Sequence, residues 1–160
     1  MSIDREALRL YAVTDRAWAA DEDALMGQIE AAVRGGAGVV QLREKRLDHD
    51  AFLAEAKRFT ALCRRLGAVS IINDSVEIAL ASGADGVHVG QSDLEAGRAR
   101  ALLGPDKIVG VSAHSPGEAR RALAAGADYL GCGAAFLTGT KSDAKPISKE
   151  TIRAVTAAVD

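Results

Sequence analysis

The run Val39-Val40-Gln41-Leu42-Arg43-Glu44-Lys45 closes an apolar stretch with polar residues at alternate positions, Gln41, Arg43 and Lys45. In an extended chain this spacing puts all three on one face. An amide, a guanidinium and an ammonium together suit a phosphate or pyrophosphate group. The competing assignment is a solvated strand end in which Glu44 pairs with a helix lysine. Ile71-Ile72-Asn73-Asp74-Ser75 ends the next apolar run on an amide and a carboxylate, and Asp74 would either cap the following helix or face a ligand. Val87-His88-Val89-Gly90-Gln91-Ser92-Asp93 repeats the pattern with a second carboxylate. There Ser92 and Glu95 can form a capping box by themselves, which leaves Asp93 free for another task. Two carboxylates beside a cationic cluster suit Mg²⁺ held by few protein oxygens and completed by phosphate and water.

Gly110-Val111-Ser112-Ala113-His114 supplies a hydroxyl with no adjacent base at catalytic spacing. Ser112 therefore reads as a hydrogen-bond donor to an anion and not as a nucleophile. Thr138-Gly139-Thr140-Lys141 opens a long polar loop, in which two hydroxyls and an ammonium beside a glycine make either a phosphate clamp or a plain surface loop. His88 reads as an inward-facing residue satisfied by hydrogen bonds, ahead of a catalytic role.

The elements that must position these residues are short β-branched runs alternating with Ala-, Leu- and Arg-rich stretches, the pattern of repeated βα units. Strands are expected over 8–15, 39–44, 70–74, 86–90, 107–113 and 129–133, and several are apolar almost throughout, as parallel strands buried on both faces tend to be. Phe52, Ala56, Phe59, Cys63 and Leu66 define the buried stripe of one helix, with Gly67 placed to end it. Ser115-Pro116-Gly117-Glu118 combines an N-cap serine, a first-turn proline and a capping-box glutamate. Gly36-Ala37, Gly83-Ala84-Asp85 and Gly126-Ala127-Asp128 recur at near-equal intervals, each between a helix and the next strand. About six βα units result, with a last helix near 148–159. This fits an α/β architecture of the (β/α)8 TIM-barrel type, incomplete, as a single truncated domain over residues 1–160. The alternative is a complete doubly wound sheet of six parallel strands.

Composition narrows the function classes. At 160 residues, one domain is expected. Lys+Arg number 20 against Asp+Glu 22, a net charge of -2, which lacks the cationic excess of non-specific nucleic-acid binders. No apolar run approaches the ~20 residues of a membrane span, and Asp4, Arg5 and Glu6 interrupt the place of an export signal. The two cysteines, Cys63 and Cys132, form neither a disulfide framework nor a zinc spacing, and both read as small core residues of a protein in a reducing compartment.

Taken in order, YAVTD, VVQLREK, IINDS, GADGVHVGQSD, GVSAHS and TGTK resemble the thiamine-phosphate synthase family, from about Leu10 to the end of the chain. The resemblance implies a cytoplasmic, Mg²⁺-dependent transferase of thiamine biosynthesis. It would join 4-amino-5-hydroxymethyl-2-methylpyrimidine diphosphate to 4-methyl-5-(2-hydroxyethyl)thiazole phosphate and release pyrophosphate. By motif, Gln41, Arg43, Lys45, Asn73 and Lys141 would hold the pyrimidine diphosphate, and Asp74 and Asp93 the metal. Ser112 would contact the departing pyrophosphate, with Thr138 and Thr140 near the thiazole phosphate; Arg43, Lys45, Lys141 and Ser112 would carry the catalytic contribution. The family's seventh and eighth strands have no counterpart here, so a truncated synthase of low activity is expected, with open edges available for self-association. Two rivals remain: a thiazole tautomerase-like isomerase using His114, and a non-catalytic partial-barrel binding or assembly module.

Overall fold

Among the described residues, six short strands alternate with six α-helices: β1 (Tyr11–Val13), α1 (Glu22–Arg34), β2 (Val39–Leu42), α2 (His49–Leu66), β3 (Val69–Asn73), α3 (Val76–Ser82), β4 (Gly86–Val89), α4 (Asp93–Leu103), β5 (Ile108–Ser112), α5 (Pro116–Ala124), β6 (Tyr129–Gly131) and α6 (Lys149–Ala157). The structure, a computed structural model, describes residues 3–90, 93–136 and 146–159, and for 93–95 the backbone alone. All strand pairs are parallel and their spatial order equals their order in sequence. A doubly wound sheet reverses strand order at a switch point. This sheet has no reversal, which removes the open-sheet alternative.

The sheet is also curled. In a flat sheet β1 and β6 would lie about 24 Å apart, five spacings of ~4.8 Å, farther than two tyrosine side chains can span. Yet the hydroxyls of Tyr11 on β1 and Tyr129 on β6 are 2.6 Å apart. The architecture is thus a part-barrel of six βα units, with the outer edges of β1 and β6 unpaired among the described residues.

Curvature sorts the strand side chains into two cores. Outward-facing Val40, Leu42, Ile72, Val87, Val109 and Val111 pack against the helices, with Phe59 and Cys63 of α2 fully buried among them. Inward-facing Val39, Ile71, Ile108 and Tyr129 meet Ile3, so an apolar plug fills the end of the barrel where the strands begin. The polar residues are left for the opposite rim.

Helix ends follow the local signals. Gly67 closes α2 in the left-handed conformation at φ 74°, and the recurrent Gly36, Gly83 and Gly126 have φ of 108°, 71° and 93°. The aspartates that follow two of these glycines clasp the preceding strand. Asp85 accepts the Ser70 N–H at 2.8 Å, and Asp128 accepts the Val109 N–H at 2.8 Å. Ser115 caps α5 through the Glu118 N–H at 3.2 Å, and the Glu118 carboxylate accepts the His114 N–H at 2.6 Å. β1 is shorter than expected because its flanks are drawn into 3₁₀ turns, Ala7–Arg9 before it and Arg16–Trp18 after it, the second capped by Asp15. β6 likewise stops at Gly131. No helix among the described residues is long and apolar enough to cross a membrane.

The curl needs space at Gly110, where an added Cβ would overlap the Tyr129 ring. Gly110→Ala should therefore lower stability by about 1–3 kcal/mol, the usual cost of overpacking a filled interior. Urea unfolding checks this, and an unchanged midpoint would mean that the ring does not need that space.

Candidate active site at the strand C-terminal rim

Parallel strands in sequential order bring all their carboxyl ends to one rim, where ligands bind in α/β folds. Beneath the rim, five inward side chains form one hydrogen-bonded chain. The buried Gln41 amide donates from Nε2 to the Tyr11 hydroxyl at 2.8 Å, and Tyr11 meets the Tyr129 hydroxyl at 2.6 Å. His88 Nδ1 lies 3.1 Å from the Tyr129 hydroxyl, and Nε2 lies 3.0 Å from Ser112 Oγ. Burial raises both tyrosine pKa values, only partly opposed at Tyr11 by its hydrogen bonds to Tyr129 and Gln41, so both phenols stay protonated. Glycine is required beside this chain as well: a Cβ at Gly131 would come within 2.9 Å of the His88 ring. Above it opens a cavity of about 770 Å³, whose wall includes Gln41, His88, Ser112, His114 and Cys132. Cys63 is the core residue expected, whereas Cys132 is only half-buried and lies on this wall.

The rim carries charge. Lys45 Nζ is 2.6 Å from Asp74 Oδ2, joining the ends of β2 and β3 across an exposed pair. Asp74 adopts φ 62°, a left-handed conformation uncommon outside glycine. Its N–H is held by the His88 carbonyl at 2.8 Å. It does not cap α3: Ser75 does, accepting the Ile78 N–H at 3.2 Å. The neighbouring Asn73 is buried, and its amide makes no hydrogen bond among the described residues. Arg43 follows the end of β2, with its N–H held by Thr14 Oγ1 at 2.9 Å. The structure thus gathers Gln41, His88 and Ser112 around the cavity, whereas Lys45 and Asp74 pair with one another past the ends of β2 and β3 and are not part of its wall. Asp93 is the first residue of α4, with its side chain outside the described set, as is the Ser92–Glu95 cap. Thr138, Thr140 and Lys141 also lie outside the described residues.

Glu44 pairs with Arg16 and not with a helix lysine. The Arg16 guanidinium reaches Glu44 Oε2 through Nε at 3.1 Å and also bonds Glu55 of α2. Glu44 further accepts the N–H groups of Lys45 at 2.7 Å and Arg46 at 2.8 Å, so it folds beneath the loop that presents Lys45. Burial pushes the Glu44 carboxyl up, but those N–H groups and Arg16 bring it below its ordinary 4.5. Burial dominates at Glu55 and raises it despite Arg16.

Sequence reasoning missed Tyr11, Tyr129, Arg16 and Glu55. Inward parity with Gln41 could have found the tyrosines. No local signal could have found the ion triad, whose members come from three separate segments.

Arg16→Met would leave two carboxylates buried without their cation, a loss of about 3 kcal/mol at neutral pH. The depressed Glu44 contributes stability above its ordinary value that disappears as pH falls through its folded value. Protonation also relieves the unpaired carboxylates of the variant. The deficit should therefore shrink between pH 7 and 4 in urea unfolding, and a pH-independent deficit would contradict the triad.

The family model described as thiamine monophosphate synthase matches residues 10–160. A thiamine-phosphate synthase of Methanobrevibacter smithii is 43% identical over 153 residues, covering 96% of this chain and 72% of the relative. A thiamine biosynthetic bifunctional enzyme of Arabidopsis thaliana is 45% identical over 152 residues, 92% of this chain, and the chain spans only 28% of that enzyme. Among solved structures, a thiamine phosphate pyrophosphorylase from Pyrococcus furiosus superposes with TM-score 0.84 at 33% identity, over 98% of this chain and 73% of that one.

Proposed function

Because this chain belongs to the thiamine monophosphate synthase family, we propose that it acts as a transferase. It would couple the hydroxymethylpyrimidine diphosphate to the thiazole phosphate and release pyrophosphate. The observation that carries this reading is the Lys45–Asp74 pair at 2.6 Å, which joins the ends of two neighbouring strands. A cation and a carboxylate that neutralise one another at a ligand rim can exchange partners with a metal-bound diphosphate. The ammonium takes phosphoryl oxygens, the carboxylate takes the metal, and charge stays balanced throughout.

The donor set fits Mg²⁺. Asp74 is half-exposed and free of capping duty, so its carboxylate could supply one of the few protein oxygens of such a site. Such a site leaves most coordination positions to phosphate and water, as this cation prefers. Asp74 and Asp93 would hold it. When bound, Mg²⁺ would neutralise charge on the diphosphate as it departs.

The remaining chemistry belongs to the side chains. The C–O bond between the pyrimidine methylene and the diphosphate breaks, and its electron pair leaves with the diphosphate oxygen. Arg43, Lys45 and Lys141 stabilise that charge and Ser112 donates a hydrogen bond to it, while Gln41 and Asn73 hold the pyrimidine diphosphate. The thiazole nitrogen then supplies the electron pair of the new C–N bond, with its phosphate near Thr138 and Thr140. No protein nucleophile is needed.

The direct test is calorimetric titration of the chain with the pyrimidine diphosphate, with and without Mg²⁺. Metal-dependent binding that Asp74→Asn and Arg43→Ala each weaken is expected, and metal-independent binding untouched by both would overturn the reading. In any form that turns over, Arg43→Ala or Lys141→Ala should lower the rate by roughly 10²-fold, the scale of losing one preorganised donor. Wild-type rates in both variants would remove those roles. His114 supports a second reading, acid–base isomerisation of a thiazole, since it lines the cavity with Nδ1 3.8 Å from Glu118. Isomerase activity without metal would favour it.

A further inference from the structure

The interior chain of hydrogen bonds has a direction. Gln41 Nε2 can only donate, so the Tyr11 oxygen accepts at 2.8 Å. A phenol that accepts once and donates once passes the sense along: Tyr11 donates to Tyr129 at 2.6 Å, and Tyr129 donates to His88 Nδ1 at 3.1 Å. A neutral imidazole that accepts at Nδ1 carries its proton on Nε2, and Nε2–H then donates to Ser112 Oγ at 3.0 Å. With that lone pair engaged, the Ser112 proton is turned away from His88 and is available to an acceptor in the cavity that Ser112 lines. The opposite sense would make Tyr11 accept from both Gln41 and Tyr129 and leave its own proton without an acceptor among the described residues. Hydrogen bonds aligned head to tail also polarise one another, so the last donor is the strengthened one.

We propose that His88, held in its Nε2–H form by the chain Gln41–Tyr11–Tyr129, is a positioning residue that keeps the Ser112 hydroxyl pointed into the cavity as a fixed donor to a phosphoryl oxygen. This rests on the reading of the cavity as a diphosphate site. His88 acts on Ser112 and needs no contact with the reacting atoms. A serine hydroxyl otherwise rotates among three staggered directions, and holding it in one removes the reorganisation that anion binding would require.

Two measurements on the full chain test it. Long-range ¹H–¹⁵N correlation spectra of histidine-labelled protein report the tautomer of each of its three histidines, with His88 identified by the signal lost in His88→Gln. The Nε2–H form is expected, and an Nδ1–H form would overturn the proposal. Calorimetric titration with inorganic pyrophosphate and Mg²⁺ then compares wild type, Tyr129→Phe, Ser112→Ala and the double variant. Tyr129→Phe should weaken binding about 3–10-fold, the scale of one hydrogen bond, and should weaken it no further once Ser112 is alanine. Equal weakening in both backgrounds would show a structural effect on the cavity and would overturn the proposal, as would no weakening in either. If the wild-type chain binds no pyrophosphate, the diphosphate reading of the site fails, and the tautomer alone decides whether the chain runs in the stated direction.

Discussion

The hydroxyls of Tyr11 and Tyr129 touch across the barrel interior, and that contact depends on curvature. β1 and β6, five places apart in the sheet, could not bring their side chains together if the sheet were flat. Bent inward, β1, β2, β4, β5 and β6 bring Tyr11, Gln41, His88, Ser112 and Tyr129 within hydrogen-bonding distance in sequence along one path. Space for the bend comes from residues without side chains, since Gly110 lies against the Tyr129 ring and Gly131 against His88. The interior is thereby divided along the barrel axis. Ile3, Val39, Ile71 and Ile108 fill the end where strands begin, and polar groups occupy the end where they finish. An apolar plug and a polar mouth are built from alternate residues of the same strands.

Charge at the mouth is arranged in two tiers of different strength. The lower tier, Arg16 between Glu44 and Glu55, is largely shielded from water and fastens the loop after β1 to the end of β2 and to α2. Removing one member of such a group strands the others, so this tier behaves as a fixed part of the frame. Glu44 then spends its remaining lone pairs on the N–H groups of the loop that presents Lys45. The upper tier, Lys45 with Asp74, is half-exposed, and exposed ion pairs contribute little to stability. An ion pair that costs little to open leaves both partners able to exchange one another for water or a solute.

Much of this organisation was legible before any coordinates. Hydrophobic runs and Gly-Ala repeats located six strands and their helices, because a strand buried on both faces must be apolar and a left-handed helix end favours glycine. The polar residues ending those runs, Gln41, Lys45, Asn73, Asp74 and Ser112, stand at or just past the carboxyl ends of their strands, since chain direction is a local property. His88, read as an inward residue satisfied by hydrogen bonds, is one. Strand limits at β1 and β6 were overextended because side-chain caps and turns compete with a ladder in ways that residue type alone leaves undecided.

By itself, the sequence determined the alternation of elements, the end of the strands at which polar residues gather and the residue types available there, for these depend on neighbours along the chain. Tertiary structure alone decided that the sheet curls in sequential order, that Ser75 and not Asp74 caps α3, that Glu44 answers to Arg16, and that two tyrosines complete the path from Gln41 to Ser112. Each of those outcomes is a contact between segments distant in sequence, and its geometry exists only once the strands between them have bent.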